Sequence, residues 1–134
     1  MAQSMARKMG LEPGFLVLEY GYGDDCDESL RQEIMSVTGS DFASVDSKEV
    51  VDAVILWWRD GDADLVDALV DVLAYLIESG PIWVLTPKAG RVNHVEPSDI
   101  QDAAPTAGLS QTSSFPVATD WSGTKLVARK SSKR

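Results

Sequence analysis

The residues best suited to chemistry follow three apolar segments of the chain, at the points where predicted strands end. Glycines there let a ligand approach the backbone, and Arg59 and Lys88 are two of only five basic residues between positions 9 and 124. Ligands of open α/β sheets bind at the carboxyl ends of the strands. The predicted ligand-binding edge consists of Glu19, Gly21, Gly23, Arg59, Asp60, Thr86 and Lys88. The alternative is that the two cations only offset neighbouring aspartates, as charge pairs at loop ends commonly do.

Other reactive side chains do not form the pattern of a catalytic or metal site. His94, the single histidine, lies among acidic residues without the spacing of metal ligands. Ser122 lacks the nucleophile-elbow pattern, and Cys26 is flanked by two aspartates that oppose formation of a thiolate. We therefore expect no catalytic residue, no metal and no bound cofactor.

Three short apolar runs predict the strands that would position this edge. They occupy residues 15–18, 50–58 and 82–85, each bounded by turn residues. The run 50–58 is apolar on both alternating faces apart from Asp52, which is typical of an interior parallel strand covered on both sides. Two further strands are expected at 111–117 and 124–129, where the loop at 119–123 predicts a hairpin.

Helical signals separate these strands. A capping box of Ser29 and Gln32 begins one helix that ends at Gly39, and a second runs over 63–79 with Asp62 as its N-cap. A third spans residues 97–104 and should end before Pro105, because the residue before proline avoids helical geometry. The alternation predicts an α/β fold: a mostly parallel sheet of about five strands with three helices and a C-terminal antiparallel hairpin.

Chain length and composition predict one domain. The 134 residues include 44% hydrophobic residues, enough for one core, and we expect a flexible segment at 1–10, a domain at 11–130 and a basic tail at 131–134. One cysteine cannot form an internal disulfide, which fits a reducing cytoplasm. No apolar stretch has the length of a membrane span or the character of a secretory signal.

The charge distribution disfavours nucleic acid as a partner. Residues 9 to 124 hold five basic side chains and all 21 acidic ones, a net charge of −16, within a chain of net charge −9. A body so acidic repels a phosphate backbone. The basic C-terminal tail could contact an acidic partner or could simply be a solvated end.

The first strand and glycine turn resemble the corresponding part of class I methyltransferases. In that family an acidic residue ends the strand before glycines that admit S-adenosylmethionine, and Glu19, Gly21 and Gly23 match this pattern. Asp25 stands where the family commonly has a third glycine. Only about a dozen residues separate the first helix from the second strand, so the family's strand that carries the ribose-binding carboxylate has no room. The resemblance implies a shortened methyltransferase-like, Rossmann-like sheet that lacks part of the cofactor site.

The whole chain resembles an actinobacterial family of unknown function, domain-of-unknown-function family 3052. Six segments carry this resemblance: Leu-Glu-Pro-Gly at 11–14, Val-Asp-Ala-Val at 51–54, Trp-Trp-Arg-Asp at 57–60, Thr-Pro-Lys-Ala-Gly at 86–90, Val-Glu-Pro-Ser-Asp at 95–99 and Asp-Trp-Ser-Gly-Thr at 120–124. They span nearly the full length. The resemblance implies a single full-length domain and adds no chemistry.

The predicted sheet has apolar residues on both faces, and the helices can all lie on one of them, which points toward a partner. Right-handed crossovers that step in one direction place all helices on the same side of a sheet. With the strand order 1-2-3-5-4 that the methyltransferase resemblance suggests, the other apolar face would be bare and would need a protein partner or a second copy. The order 2-1-3 would instead leave a compact monomer.

Together these patterns predict a non-enzymatic interaction or regulatory domain. The alternative is a small-ligand, nucleotide or S-adenosylmethionine-binding enzyme that uses the carboxyl edge of the sheet.

Overall fold

The computed structural model describes residues 4–44, 46, 49–62 and 64–128. Its elements in chain order are α1 (Met5–Lys8), β1 (Val17–Tyr20), α2 (Glu28–Thr38), β2 (Ala53–Trp57), α3 (Leu65–Leu73), β3 (Ile82–Pro87), α4 (Pro97–Thr106), β4 (Leu109–Pro116) and β5 (Trp121–Ala128). The strands form one sheet in the order β1-β2-β3-β5-β4. β1, β2 and β3 are parallel, while β5 is antiparallel to both β3 and β4. The predicted α/β class and the strand order suggested by the methyltransferase resemblance are confirmed.

Both faces of the sheet are covered, so the predicted bare apolar face is wrong. On one face, α3 and α4 pack over a cluster that includes Leu56 and Val84. On the other, α1 and α2 pack over a cluster that includes Ile55 and Trp83. Ile55 and Trp83 are 0% and 1% exposed. The premise for a partner or homodimer on a sheet face is therefore removed.

A bridge formed by one residue outside the named strands explains why the helices lie on both faces of the sheet. Ala43 forms a parallel bridge with Leu18, and its backbone bonds go to Val17 and Glu19. In a parallel ladder these groups belong to the edge of β1 that faces away from β2. The chain after α2 thus steps first toward the free edge of β1 and only then returns to β2. Right-handed steps in opposite directions place α2 and α3 on opposite faces.

Four helix boundaries differ from the predicted ones for local reasons. Asp27, not Ser29, caps α2 by accepting a hydrogen bond from the Leu30 N–H at 2.8 Å, and Asp64, not Asp62, caps α3. α3 ends at Leu73, well before residue 79, and Leu76 then bridges to Val51. α4 continues through Pro105, contrary to prediction. A proline in the last turn removes only one helical hydrogen bond, and the Pro105 side chain itself is solvent-exposed.

Within the N-terminal segment, Ala6 and Met9 of residues 4–10 pack into the core. Ser4 caps α1, Ala6 and Met9 are 0% and 1% exposed, and the Met9 carbonyl accepts a hydrogen bond from Trp83 Nε1 at 3.0 Å. The indole of a buried tryptophan needs such a partner, which the sequence pattern did not reveal. The predicted basic tail at 131–134 lies outside the described residues.

None of the helices in the described part of the chain combines the length and apolar character needed to cross a membrane.

Candidate ligand-binding edge

The turn after β1 is shaped by Gly21. Its φ is +85°, and a Cβ at this position would overlap the backbone carbonyl oxygen of Trp57 at the end of β2. Only glycine combines a left-handed backbone with so close an approach of two chains. At Gly23 a Cβ would lie 3.1 Å from a guanidinium nitrogen of Arg59, the flexible end of a side chain. Gly21 therefore has a structural reason to be glycine that does not involve a ligand.

Arg59, which follows β2, reaches back over this glycine turn. Its Nη1 donates to the Gly21 carbonyl at 2.8 Å, and its Nε and Nη2 donate to the two carboxylate oxygens of Asp25 at 2.9 and 2.6 Å. The Arg59 side chain is 15% exposed and that of Asp25 is 51% exposed. Arg59 holds the pKa of Asp25 below its ordinary value through this hydrogen bond, and the same bond raises the pKa of Arg59. A bidentate pair of this kind fixes the geometry of the turn.

The Trp121 ring and the Cys26 thiol contact the same guanidinium, with 3.4 Å between Arg59 Nη2 and Cys26 Sγ. The Trp121 ring lies 5.4 Å from the Arg59 guanidinium carbon and donates its Nε1–H to the Asp25 carbonyl at 3.1 Å. Trp57 and Trp121 meet edge to face with 4.8 Å between centroids. Burial raises the pKa of the Cys26 thiol, which supports the expectation that it is unreactive. We call Asp25, Cys26, Arg59 and Trp121 the Arg59 cluster.

Glu19, the acidic residue at the end of β1, is bound by α2. Its two carboxylate oxygens accept from Arg31 Nε and Nη2 at 2.6 and 2.8 Å, and one of them also accepts from Trp57 Nε1 at 2.9 Å. The side chains of Glu19 and Arg31 are 8% and 17% exposed. The Glu19 carboxylate raises the pKa of Arg31 through this hydrogen bond. The Arg31 guanidinium lies over the Tyr22 ring at 4.2 Å, so an aromatic side chain screens this ion pair from solvent.

The other predicted residues do not join this arrangement. Asp60 is exposed, and its backbone N–H donates to the Asn93 carbonyl at 2.9 Å. The half-buried Lys88 donates its backbone N–H to the Asp120 carbonyl at 2.9 Å. Thr86 faces the α3–α4 side of the sheet, in register with Ser122 of β5. The structure thus brings Gly21 and Gly23 together with Arg59, places Glu19 beside them through Trp57, and directs Thr86 elsewhere.

Sequence reasoning missed Arg31 and Trp121 as members of this edge. Arg31 is the only cation in α2 and stands three residues after Glu28, with which it also pairs at 3.0 Å. That spacing was visible in the sequence. The proximity of Trp121 to Arg59 depends on β5 lying next to β3, which no local pattern shows.

The described residues include no group of three or more histidine, cysteine, aspartate or glutamate side chains placed to hold a metal ion. Arg91 pairs with Asp120 beside this edge, where both side chains are about half exposed.

The fold and this edge define a class: a five-stranded Rossmann-like sheet arranged as in class I methyltransferases. The solved structures that it resembles include a TehB-like SAM-dependent methyltransferase from Corynebacterium glutamicum, with a TM-score of 0.56 and 13% identity over 93% of this chain and 87% of that one. Another is a ribosomal protein L11 methylase from Lactobacillus delbrueckii subsp. bulgaricus, with a TM-score of 0.59 and 16% identity over 94% of this chain and 75% of that one. Identities this low show the fold alone.

The chain belongs to the family described as "Protein of unknown function (DUF3052)", whose model matches residues 6–130. Its relatives include uncharacterized proteins of Mycobacterium tuberculosis (strain H37Rv) and Mycobacterium bovis. Each is 47% identical over 130 residues, which cover 97% of this chain and 82% of the relative. The predicted family membership is confirmed.

Proposed function

We propose that this chain is a non-enzymatic interaction or regulatory domain built on a shortened methyltransferase-like sheet. One observation carries the proposal: the groups that the resemblance assigns to cofactor contact are bound to side chains of the same molecule. Arg31 and Trp57 hold Glu19, and Arg59 holds the carbonyl of the glycine turn. Charge-assisted hydrogen bonds are the stronger kind, so a ligand would have to displace them before it gained contacts of its own.

The shortened connection between β1 and β2 supports the same proposal. Among the residues that the structure describes, the free edge of β1 pairs through an isolated bridge at Ala43, and no longer strand follows there to carry the ribose-binding carboxylate of the methyltransferase resemblance. A one-residue bridge provides little of the framework that a full strand gives to an adenosine pocket. The fold keeps the sheet of the methyltransferase class, but the half of the sheet that would hold the nucleoside of the cofactor is shortened.

Binding of S-adenosylmethionine tests the proposal. We expect no change in melting temperature and no calorimetric heat when S-adenosylmethionine, S-adenosylhomocysteine or ATP is added to the wild-type chain, with a SAM-dependent methyltransferase as positive control. The variant to compare is Gly23→Ala, because Gly21→Val would fail for the structural reason given above. Stabilisation by S-adenosylmethionine that Gly23→Ala removes would instead support the alternative, a ligand-binding enzyme at this edge.

For the partner, we propose a protein with a basic surface that contacts the outer side of α3 and α4. Exposed acidic side chains line these two neighbouring helices, and neither helix contains lysine or arginine; the acids are Asp67, Asp71, Asp99 and Asp102. Such a surface attracts cationic proteins and repels nucleic acid. The lone cysteine fits the reducing cytoplasm as the place of this interaction.

Charge reversal tests this surface. Immobilised wild-type chain should retain a basic protein from cell extract in a salt-sensitive manner, and Asp67→Lys with Asp71→Lys should abolish that retention. The matched control is Glu12→Lys with Asp41→Lys, which makes the same change in net charge at exposed sites away from α3 and α4. Equal loss in both double variants would show a nonspecific charge effect and contradict the proposed surface.

A further inference from the structure

The basic side chains of this acidic chain are concentrated in its two terminal segments. Seven of the twelve lysines and arginines lie outside residues 9–124, where there is no acidic residue: Arg7, Lys8, Lys125, Arg129, Lys130, Lys133 and Arg134. The first two belong to α1 and the third to β5. Lys125 is the register partner of Trp83, on which α1 packs, so these three cations lie on the same side of the fold. An otherwise acidic molecule therefore has one basic side.

A groove lies on this basic side, between α1 and the end of β4. It has a volume of about 520 Å³ and is lined by Met5, Arg7, Lys8, Phe115 and Pro116. Both of its cations are exposed, and neither forms an ion pair within the described part of the chain. The Phe115 ring packs on Trp83 with 5.3 Å between centroids, which anchors the apolar floor of the groove in the core. The groove thus combines two uncompensated positive charges with an apolar surface.

The strand that runs into this groove has a free edge. β4 is the last strand in the order of the sheet, and among the described residues its ladder is with β5 alone. In a strand paired on one side, alternate backbone N–H and C=O groups point away from the neighbour. Residues 110–114 are exposed, and no residue of β4 is charged, although charges commonly protect such edges. Beyond the bulge between Gln111 and Ser113, the ladder continues to the groove. β4 therefore offers main-chain groups to an added strand.

Charge complementarity selects an acidic occupant for the groove. The C-terminal sequence of this chain after β5 contains four basic residues and no acidic one, so Arg7 and Lys8 would repel it. A nucleic acid is acidic, but it would approach a molecule whose residues 9–124 carry a net charge of −16. A peptide strand can also satisfy the free main-chain groups of β4. The occupant that uses both features is an extended acidic peptide.

We propose that β4 and the groove beside α1 form a docking surface for an extended acidic peptide of a partner protein. The peptide adds a strand to the free edge of β4, places carboxylates near Arg7 and Lys8, and packs an apolar side chain on Phe115. Main-chain hydrogen bonds supply affinity, and the groove supplies specificity. This inference rests on the proposed interaction function but uses a different surface from the acidic side chains of α3 and α4, so the two surfaces are tested separately.

A matched pair of peptides tests the role of charge. The probe is the heptapeptide Glu-Thr-Val-Thr-Glu-Thr-Val, whose glutamates and valines share one face of a strand, and its control has glutamine in place of both glutamates. In titrations of ¹⁵N-labelled full chain, we expect the acidic peptide to shift the backbone amide resonances of residues 110–115 and of α1. It should bind about fivefold to tenfold more tightly than the glutamine peptide, as two exposed ion pairs would give.

Paired variants of the protein locate this charge effect. Arg7→Gln with Lys8→Gln should remove the difference between the two peptides. The matched control is Gln32→Glu with Ser79→Glu, which makes the same change in net charge at exposed sites outside the groove. The control should keep the difference. Equal loss in both double variants would show a general effect of net charge and contradict the docking surface.

Backbone methylation of the peptide tests strand addition without changing the protein. Only one edge of an added strand faces β4, so N-methyl groups at one set of alternate positions should abolish binding, and those at the other set should leave it nearly unchanged. The proposal is overturned if the acidic peptide leaves residues 110–115 and α1 unshifted, if the glutamine peptide binds equally well, or if the two methylated peptides behave alike.

Two further titrations distinguish other occupants. A ten-nucleotide oligothymidylate that shifted the same resonances at a lower concentration than the acidic peptide would assign the surface to nucleic acid and overturn the proposal. Shifts of these resonances on raising the protein concentration without peptide would assign the surface to a second copy and would overturn it as well. We expect neither.

Discussion

At the residue scale, two arginines determine the character of the candidate edge. Arg31 binds Glu19 in a site where both side chains are mostly buried, whereas Arg59 binds the half-exposed Asp25. Water screens an exposed pair strongly and a buried pair weakly. The two pairs should therefore differ in what they contribute to stability, although both are bidentate.

Substitution of Glu19 tests the buried pair. We expect Glu19→Gln to lower the free energy of unfolding by about 2 kcal/mol, between the values typical of exposed and buried pairs. Arg31 would keep its charge and lose its principal partner. Glu28→Gln is the matched control, since Glu28 binds the same arginine but its side chain is 53% exposed; it should cost less than about 0.5 kcal/mol. Urea unfolding at neutral pH measures both, and equal losses would show that burial does not strengthen the Glu19 pair.

Acid titration tests the exposed pair. Because Arg59 holds the pKa of Asp25 below 3.8, the pair contributes stability at higher pH and loses it as the pH falls through 3.8 toward the lower pKa of the folded state. The difference in unfolding free energy between wild type and Asp25→Asn should be constant above about pH 5 and shrink toward zero in acid. Its size at neutral pH should be about 1 kcal/mol or less, because solvent screens the pair. In an Arg59→Gln background this pH dependence should disappear; its persistence there would assign it to another group.

At the element scale, the turn between β1 and α2 depends on the closeness of β1 and β2. The Trp57 carbonyl at the end of β2 leaves no space for a side chain at Gly21. A glycine motif that suggests ligand binding is thus required by strand packing alone. This is why the glycine pattern could resemble a cofactor loop while the side chains around it satisfy one another.

A pair of glycine substitutions separates backbone strain from steric overlap. Gly14 has a φ of +90° and open space where the methyl group of an alanine would lie, so Gly14→Ala should cost about 1–2 kcal/mol from the left-handed backbone alone. Gly21→Ala has the same backbone strain and also overlaps Trp57, so we expect a total loss of about 3 kcal/mol or more. Urea unfolding compares the two variants. Similar losses would mean that the turn moves to admit the methyl group.

At the scale of the whole molecule, the covered faces of the sheet change the expectation for assembly. α1 and α2 bury the face on which a second copy was predicted to pack. Among the described residues, the exposed large hydrophobic side chains come from different parts of the fold; they are Tyr22, Val50, Val70, Ile77 and Val92. Scattered apolar residues of this kind are normal on a monomer.

Light scattering coupled to gel filtration tests assembly directly. We expect a single species of 14.5 kDa at micromolar concentration and physiological salt. The net charge of −9 also opposes self-association through like-charge repulsion. A species of twice that mass would show that a surface other than the sheet faces pairs two copies, and it would restore the homodimer as the partner.

Much of the scaffold was predictable from local patterns, and much of the site was not. The apolar runs that became β2 and β3 were evident because an interior parallel strand is apolar on both faces. The cap of α2 could not be fixed from the sequence, since Asp27 and Ser29 are both good N-caps, and the structure shows that Asp27 accepts the Leu30 N–H. Arg59 was predicted at the edge. Its hydrogen bond to Asp25 joins residues 34 positions apart, so no local sequence pattern indicates this bond.

The sequence by itself determined the α/β class, the strands and the positions of the glycine turn and Arg59, because periodicity and turn residues act over a few neighbouring positions. Only the tertiary structure decided which face each helix covers, that α1 packs on Trp83, and that Glu19 and the glycine turn are held by Arg31 and Arg59. These features depend on residues far apart in the chain that meet only when the sheet is assembled. The bridge at Ala43 is the clearest example. Because Ala43 pairs with the free edge of β1, α2 lies on the opposite face of the sheet from α3.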